Sequence, residues 1–217
     1  MFIAVGVAVI IAIVSLVLFV YGFHGKSRCY TPLEVYSKVG SSIISHPFYA
    51  KYVVEISEDG IVKSFNIILE SDGRGMCLLK YMSEYANYVI VLSRSGDVYT
   101  ICRIVKTVSM NNPVTTMSII NSSSGYPLQI LFYKSGLSGI FNAITVAIVK
   151  GRCIENSYVV KYGGYNITVI LLNKSGLYIP KLVKIVGKNG TIVMKLVKFF
   201  NMYDPLDFDK VTKLCIE

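Results

Sequence analysis

The sequence predicts an α+β fold behind an N-terminal membrane span: a run of antiparallel strands, a helical insert, then a second run of strands. Three observations carry this. Residues 1–23, MFIAVGVAVIIAIVSLVLFVYGF, contain no charged side chain. Residues 49–107 break into short apolar runs separated by Asp-Gly and Ser-Gly turns, the mark of an antiparallel meander. Residues 177–200, LYIPKLVKIVGKNGTIVMKLVKFF, are two lysine-studded apolar runs meeting at Lys188-Asn189-Gly190. Asn-Gly between extended runs signals a hairpin, because both central residues of its tight turn need positive φ.

The N-terminal run is long enough to cross a bilayer as a helix, for which about 20 apolar residues suffice. Tyr21 and Phe23 suit the interfacial belt at its end. A cleaved signal peptide is the rival reading. It would want a basic start and small residues at the cut, whereas Tyr21-Gly22-Phe23-His24 offers neither. The expected organisation is therefore a membrane anchor at 1–25 and one domain at 26–217. Membrane lipid is the partner of residues 1–23.

Sidedness draws on conflicting signals. Lys26, Arg28 and Lys38 follow the span, which positive-inside counting would leave in the cytoplasm. Long domains escape that rule. Four N-x-Ser/Thr sequons, at Asn121, Asn166, Asn173 and Asn189, point the other way. The expectation is a single-pass cell-membrane protein with its domain outside the cytoplasm, glycosylated at these positions.

The chain is 53% hydrophobic, with mean hydropathy +0.55 and net charge +9. Its lysines are scattered along strands without a basic block or interleaved aromatic motif, so nucleic acid is not an expected partner. A solvated lysine face, or attraction to an anionic lipid surface, accounts for the charge. Of the five cysteines none forms a C-x-x-C pair, which removes spacing support for zinc or thioredoxin-like chemistry. Outside the cell some should pair, although all could simply be small buried hydrophobes. If the two strand blocks meet edge to edge where the insert interrupts them, Cys102 neighbours Cys153. Cys29 and Cys215, near the domain's ends, form a second candidate pair, and Cys77 is left over.

Thr31-Pro32-Leu33-Glu34 opens a helix, with Thr31 as cap, Pro32 in the first turn and Glu34 closing a capping box. His46-Pro47 stops it. Strands are expected at Tyr49–Ile56, Ile61–Leu69, Met76–Met82, Tyr88–Ser93 and Val98–Thr107. Residues 108–126, rich in Ser, Asn and Pro, read as a loop. Residues 127–149 read as one or two helices broken near Ser135-Gly136. Strands return at Ile154–Lys161 and Tyr165–Asn173, followed by the hairpin. With Asn189-Gly190 central, that hairpin pairs Ile185 with Met194 and Val183 with Leu196 on one face, and Val186 with Val193 on the other. Both faces are mostly apolar, so each must be covered or one must line an apolar cavity.

The layout resembles the periplasmic lipoprotein-carrier (LolA-like) family and related lipid-binding envelope proteins. The residues that carry the likeness are Tyr178-Ile179-Pro180, the Asn189-Gly190 turn, Thr191–Phe200, Asn201 and the tail Asp204-Pro205-Leu206-Asp207-Phe208. Near the N-terminus they are Tyr49-Ala50-Lys51-Tyr52 and the turn Glu58-Asp59-Gly60. The likeness lies in pattern more than in specific motifs. It implies a half-barrel: a curved antiparallel sheet of about nine or more strands, its concave face covered by helices that enclose a pocket for acyl chains. On that footing the chain would bind a lipid or lipoprotein ligand. Candidates to line the cavity are Ile140, Phe141, Ile144 and Val146 from the insert, with Met76, Met82 and Met194 from strands, methionine being adaptable to irregular ligands. An anchor would make shuttling between membranes an unnatural role.

Catalysis has little support. Only His24 and His46 are available, and no nucleophile elbow, H-E-x-x-H or phosphate-binding glycine loop occurs. No enzyme activity, metal or cofactor is expected. The alternative function is an anchored structural or protein-interaction ectodomain with a filled core, its protein partner unspecified.

Overall fold

The computed structural model describes residues 31–107, 109 and 112–216. The expected span at 1–23 and Cys29 lie outside the described residues. Among those described, no helix is long and apolar enough to cross a membrane.

The first helix, α1 (Pro32–Ser41), starts as its sequence predicts: the Thr31 amide and hydroxyl both donate to Glu34 Oε2, at 3.1 and 2.8 Å. A 3-10 turn at Ser42–Ile44 leads into β1 (Pro47–Glu58) and β2 (Ile61–Asp72). Their turn places Asp59 at φ 48° and Gly60 at φ 80°, the left-handed pair that a tight hairpin demands. The meander continues through β3 (Met76–Met82), β4 (Ala86–Ser95) and β5 (Val98–Thr107). The segment read as a loop then holds another strand, β6 (Val114–Asn121). Its sequence, VTTMSIIN, has no period-two pattern because nearly all of it is exposed.

The insert forms α2 (Pro127–Lys134) and α3 (Ser138–Lys150), separated at Gly136, whose φ of 79° favours glycine. Strands β7 (Arg152–Ile154), β8 (Ser157–Tyr162), β9 (Tyr165–Lys174), β10 (Leu177–Val186) and β11 (Gly190–Phe200) follow. The tail is a helix, α4 (Pro205–Ile216). Pro205 at its start and Phe208, Val211 and Cys215 at helical spacing are the signal for it.

All eleven strands join one antiparallel sheet in the order β6-β5-β4-β3-β2-β1-β11-β10-β9-β8-β7. Among the described residues it is open, with β6 and β7 as its edges. The two meanders are therefore sewn together by the first and last strands, Tyr52 opposite Leu196 and Val54 opposite Met194. They do not meet where the insert interrupts them. The insert instead runs from one edge of the sheet to the other, and Cys102 and Cys153 lie in opposite halves.

The hairpin turns one residue earlier than expected, with Lys188 and Asn189 central, and neither Asn189 nor Gly190 takes the positive φ that the Asn-Gly signal predicts. Gly187 N–H donates to Gly190 O, and Ile185 faces Ile192 while Val183 faces Met194. The shift is by two residues, so every side chain keeps its face. The ladder from β10 to β11 ends at Leu182–Lys195. Beyond it the backbone of Tyr178 is met by a side chain: its N–H donates to Ser42 Oγ at 2.9 Å, and that hydroxyl lies 3.4 Å from Tyr178 O.

Helices α1, α2 and α3 pack on one another and on one face of the sheet, α2 over β3 and β4, and α3 over β8 to β10. Helix α4 packs on the opposite face against β4. The main core lies under the first three helices, and a smaller core lies under the fourth.

Candidate functional site

Alternation along β1 places Phe48, Ala50, Tyr52, Val54 and Ile56 on the helix-covered face. The first four are at most 1% exposed, and Ile56 is half-buried. The same change occurs on each neighbour. Val183 and Met194 are fully buried, while Ile185 and Ile192, one step nearer the hairpin tip, are half-buried.

The register aligns these half-covered positions. Ile56 faces Ile192, Ile192 faces Ile185, Ile185 faces Ile167, and Ile167 faces Val160. Directly opposed residues share a face with their Cβ atoms about 5 Å apart, so the row is one continuous apolar rib across five strands. Part of it floors a cleft of about 400 Å³, walled by Tyr165 and the hairpin tip from Gly187 to Thr191. A second opening of about 340 Å³ shares Ile56 and Glu58 with it and reaches Ile61 and Lys63. Across β1 the same end of the sheet carries a row of tilted and edge-on rings. Phe65 and Tyr81 lie 4.6 Å apart between centroids, Tyr81 and Tyr88 lie 5.6 Å apart, and the Arg103 guanidinium sits 5.4 Å from the Tyr88 centroid.

Tyr52 stands deeper on this face. It is 1% exposed, and its hydroxyl has no hydrogen-bond partner among the described residues. Burial alone pushes its phenol pKa well above the ordinary value. An unsatisfied buried hydroxyl costs roughly 1–3 kcal/mol.

The expected cavity beneath the insert is instead a packed layer. Ile140, Phe141 and Ile144 are buried with Leu128, Leu131 and Phe132, and the rings of Phe132 and Phe141 are 6.2 Å apart. Val146 is half-buried at the layer's margin, and Met194 is fully buried in the core. Met76 packs on the opposite face, against the Leu78, Val91 and Ile104 cluster, and alternation places Met82 there too. Apolar residues occupy both faces of β3, so parity could not be read from its sequence. The open volume lies at the strand ends, and its apolar residues (Ile56, Tyr165, Ile185 and Ile192) were not among the cavity candidates. The alternation of YAKYVVEI together with the hairpin face was the available signal.

A third cleft, about 570 Å³, opens at the other end beside the start of α2. Arg94, Ser122, Ser123 and Gln129 make it polar.

The opposite face is held by covalent and polar links. Cys102 is bonded to Cys215, which fastens α4 over β5. This corrects both expected pairings, Cys102 with Cys153 and Cys29 with Cys215, and follows from the sheet order. Cys153 is itself disulfide-bonded, and Cys77 is a buried free thiol whose pKa burial raises. Glu70 is fully buried, with Lys80 Nζ 3.9 Å from Oε1 and the Asp204 N–H donating to Oε2 at 3.3 Å. The four sequon asparagines are all exposed. Asn189 lies in the cleft's hairpin tip, Asn173 donates to Tyr178 OH at 2.8 Å, and Asn121 Oδ1 accepts from Ser123 N–H.

No family model matches the chain, and no curated protein is similar to it in sequence. Among solved structures the chain is similar to a LolA superfamily protein from Nitrosomonas europaea. That match has a TM-score of 0.38 and 10% identity, over 82% of this chain and 96% of that one. It is also similar to a DUF1329 family protein from Desulfovibrio piger, with a TM-score of 0.36 and 13% identity, over 81% and 95%.

Proposed function

We propose that this chain is a membrane-anchored, extracytoplasmic half-barrel. It holds a lipid acyl chain or lipidated ligand along the uncovered end of its helix-covered face, and it is a binder rather than an enzyme. The isoleucine rib opening into the hairpin cleft is the observation that carries the reading. At about 400 Å³ that cleft falls within the usual size of small-ligand sites, roughly 300–1,000 Å³. At about 0.8 kcal/mol per methylene, a ten-carbon segment would contribute roughly 8 kcal/mol before binding costs. The uncharged run at 1–23 supports the anchor. The exposed sequons and the disulfides support an oxidising, external location. His46 Nδ1 is engaged with the Ser42 carbonyl at 2.8 Å, a structural role.

A photoreactive fatty acid bearing a diazirine tests this on the full chain in detergent. Adducts are expected on peptides containing Ile56 and residues 185–192, and unlabelled palmitate should suppress them. Labelling confined to residues 1–23, or insensitive to palmitate, would overturn the lipid site. A second reading, an interaction ectodomain without ligand, is favoured by the packed layer beneath α2 and α3. That negative result would select it.

A further inference from the structure

The sheet has two edges, and they are unlike. Edge β7 has three residues and carries Arg152. Edge β6 has eight residues, all but Ile120 exposed, including Val114, Met117 at 62% and Ile119 at 71%. Free edges are ordinarily protected by shortness, lysine, proline or a bulge. Strand β6 has none of these, and its pairing with β5 runs without a register shift from Val98–Asn121 to Val105–Val114. Each of the other ten strands holds at least one Lys or Arg, whereas β6, VTTMSIIN, holds no charge at all. In a chain of net charge +9, its longest free edge is the one strand stripped of repulsion.

The backbone direction fixes what can pair with it. Ser122 N–H donates to Asp97 O at 2.8 Å, continuing the ladder to β5. Groups facing a neighbour alternate along an antiparallel strand. The N–H and C=O groups of Thr115, Met117, Ile119 and Asn121 therefore point outward. A two-fold axis at Ser118 would bring these four against their own counterparts, Met117 with Ile119 and Thr115 with Asn121. The two Met117–Ile119 pairs would then close into one apolar cluster on the α4 side. On the helix side, Thr116 would meet Ile120, and Ser118 would meet Ser118.

We infer that β6 is a homodimerisation edge, where two copies pair antiparallel about Ser118 into one continuous sheet. The neutral strand lets two strongly basic copies approach. The same outward groups answer each other in register, as an isologous contact requires. The exposed side chains of Met117 and Ile119 lie opposite each other across that axis, so each copy covers the other's apolar surface.

The test uses the full chain in density-matched detergent. Analytical ultracentrifugation should give a reversible dimer. A Ser118→Cys variant should form an interchain disulfide under mild oxidation, because opposed residues of a non-hydrogen-bonded pair have Cα atoms about 4.5 Å apart. Thr116→Cys, which faces Ile120, should cross-link at least about tenfold less, ~1.4 kcal/mol in equilibrium terms. Ile119→Pro should be monomeric and unfold like the wild-type chain diluted to its monomer, since it removes only an outward N–H. A wild-type chain monomeric at every concentration, or equal cross-linking at 116 and 118, would overturn the inference. So would a co-purifying foreign polypeptide protecting the β6 amides, which would give the edge a different occupant.

Discussion

The two ends of the helix-covered face share one alternation and differ in what lies on them. At the end near Ser42 and Tyr178, α1, α2 and α3 bury Phe48, Ala50 and Ile179 completely. At the hairpin end the same strands present Ile56, Ile185 and Ile192 half-covered. An apolar side chain in the first place stabilises the fold by packing, and the same kind of side chain in the second is available to a guest. Strand pattern decides which face a residue takes, and the helices above decide which job it does.

Substitutions at the two ends should therefore separate stability from binding. Phe141→Ala, under the helices, should lose about 3–5 kcal/mol of stability, read by chemical denaturation. Fatty-acid labelling of the folded fraction should be unchanged, and a parallel loss of labelling would merge the two ends into one unit. Cys102→Ser, on neither end, should lose roughly 2–4 kcal/mol by freeing α4. It should leave labelling intact, since α4 lies on the other face. Ile192→Lys should cost under about 1.5 kcal/mol, because the site is half-exposed. It should reduce labelling at residues 185–192 about tenfold, by putting a charge where roughly 1.4 kcal/mol of apolar contact had been. Equal labelling of this variant would remove the rib from the site. Tyr52→Phe is the finest test. It removes an unsatisfied hydroxyl, so stability should stay constant or rise by up to about 1 kcal/mol. A loss of stability there would show that the hydroxyl already has a partner.

Much of this organisation was legible in the sequence where a local pattern existed. The capping box of α1, the Asp59-Gly60 turn and the break at Gly136 each follow from residues within a few positions of one another. The hairpin's faces survived an error in its register, because a slip of two residues restores the parity. Strand β6 was not legible, since an edge exposed on both faces has no burial to imprint an alternation. The disulfide was not legible either. Its geometry depends on which strands close the sheet, and nothing local in β1 or β11 announces that Val54 will face Met194. The candidate site was half legible: the hairpin face was the right one, but Met194 on it is fully buried and does not line the cleft. The insert residues Ile140, Phe141 and Ile144 were taken for cavity lining because apolar packing and an apolar cavity look alike in one sequence.

The seam between β1 and β11 has a consequence for the order of assembly. The five-strand meander from β1 to β5 contains only near neighbours in sequence, and such contacts form early. The seam joins strands from the two ends of the domain, so it waits for nearly the whole chain to be synthesised. Until then β1 has one flank of twelve residues open in what will become the middle of the sheet. Unpaired strand flanks are the surfaces on which partly folded chains stick to each other. A chain truncated before Gly190 would thus be left with an unfinished centre, a more aggregation-prone product than one missing a peripheral piece.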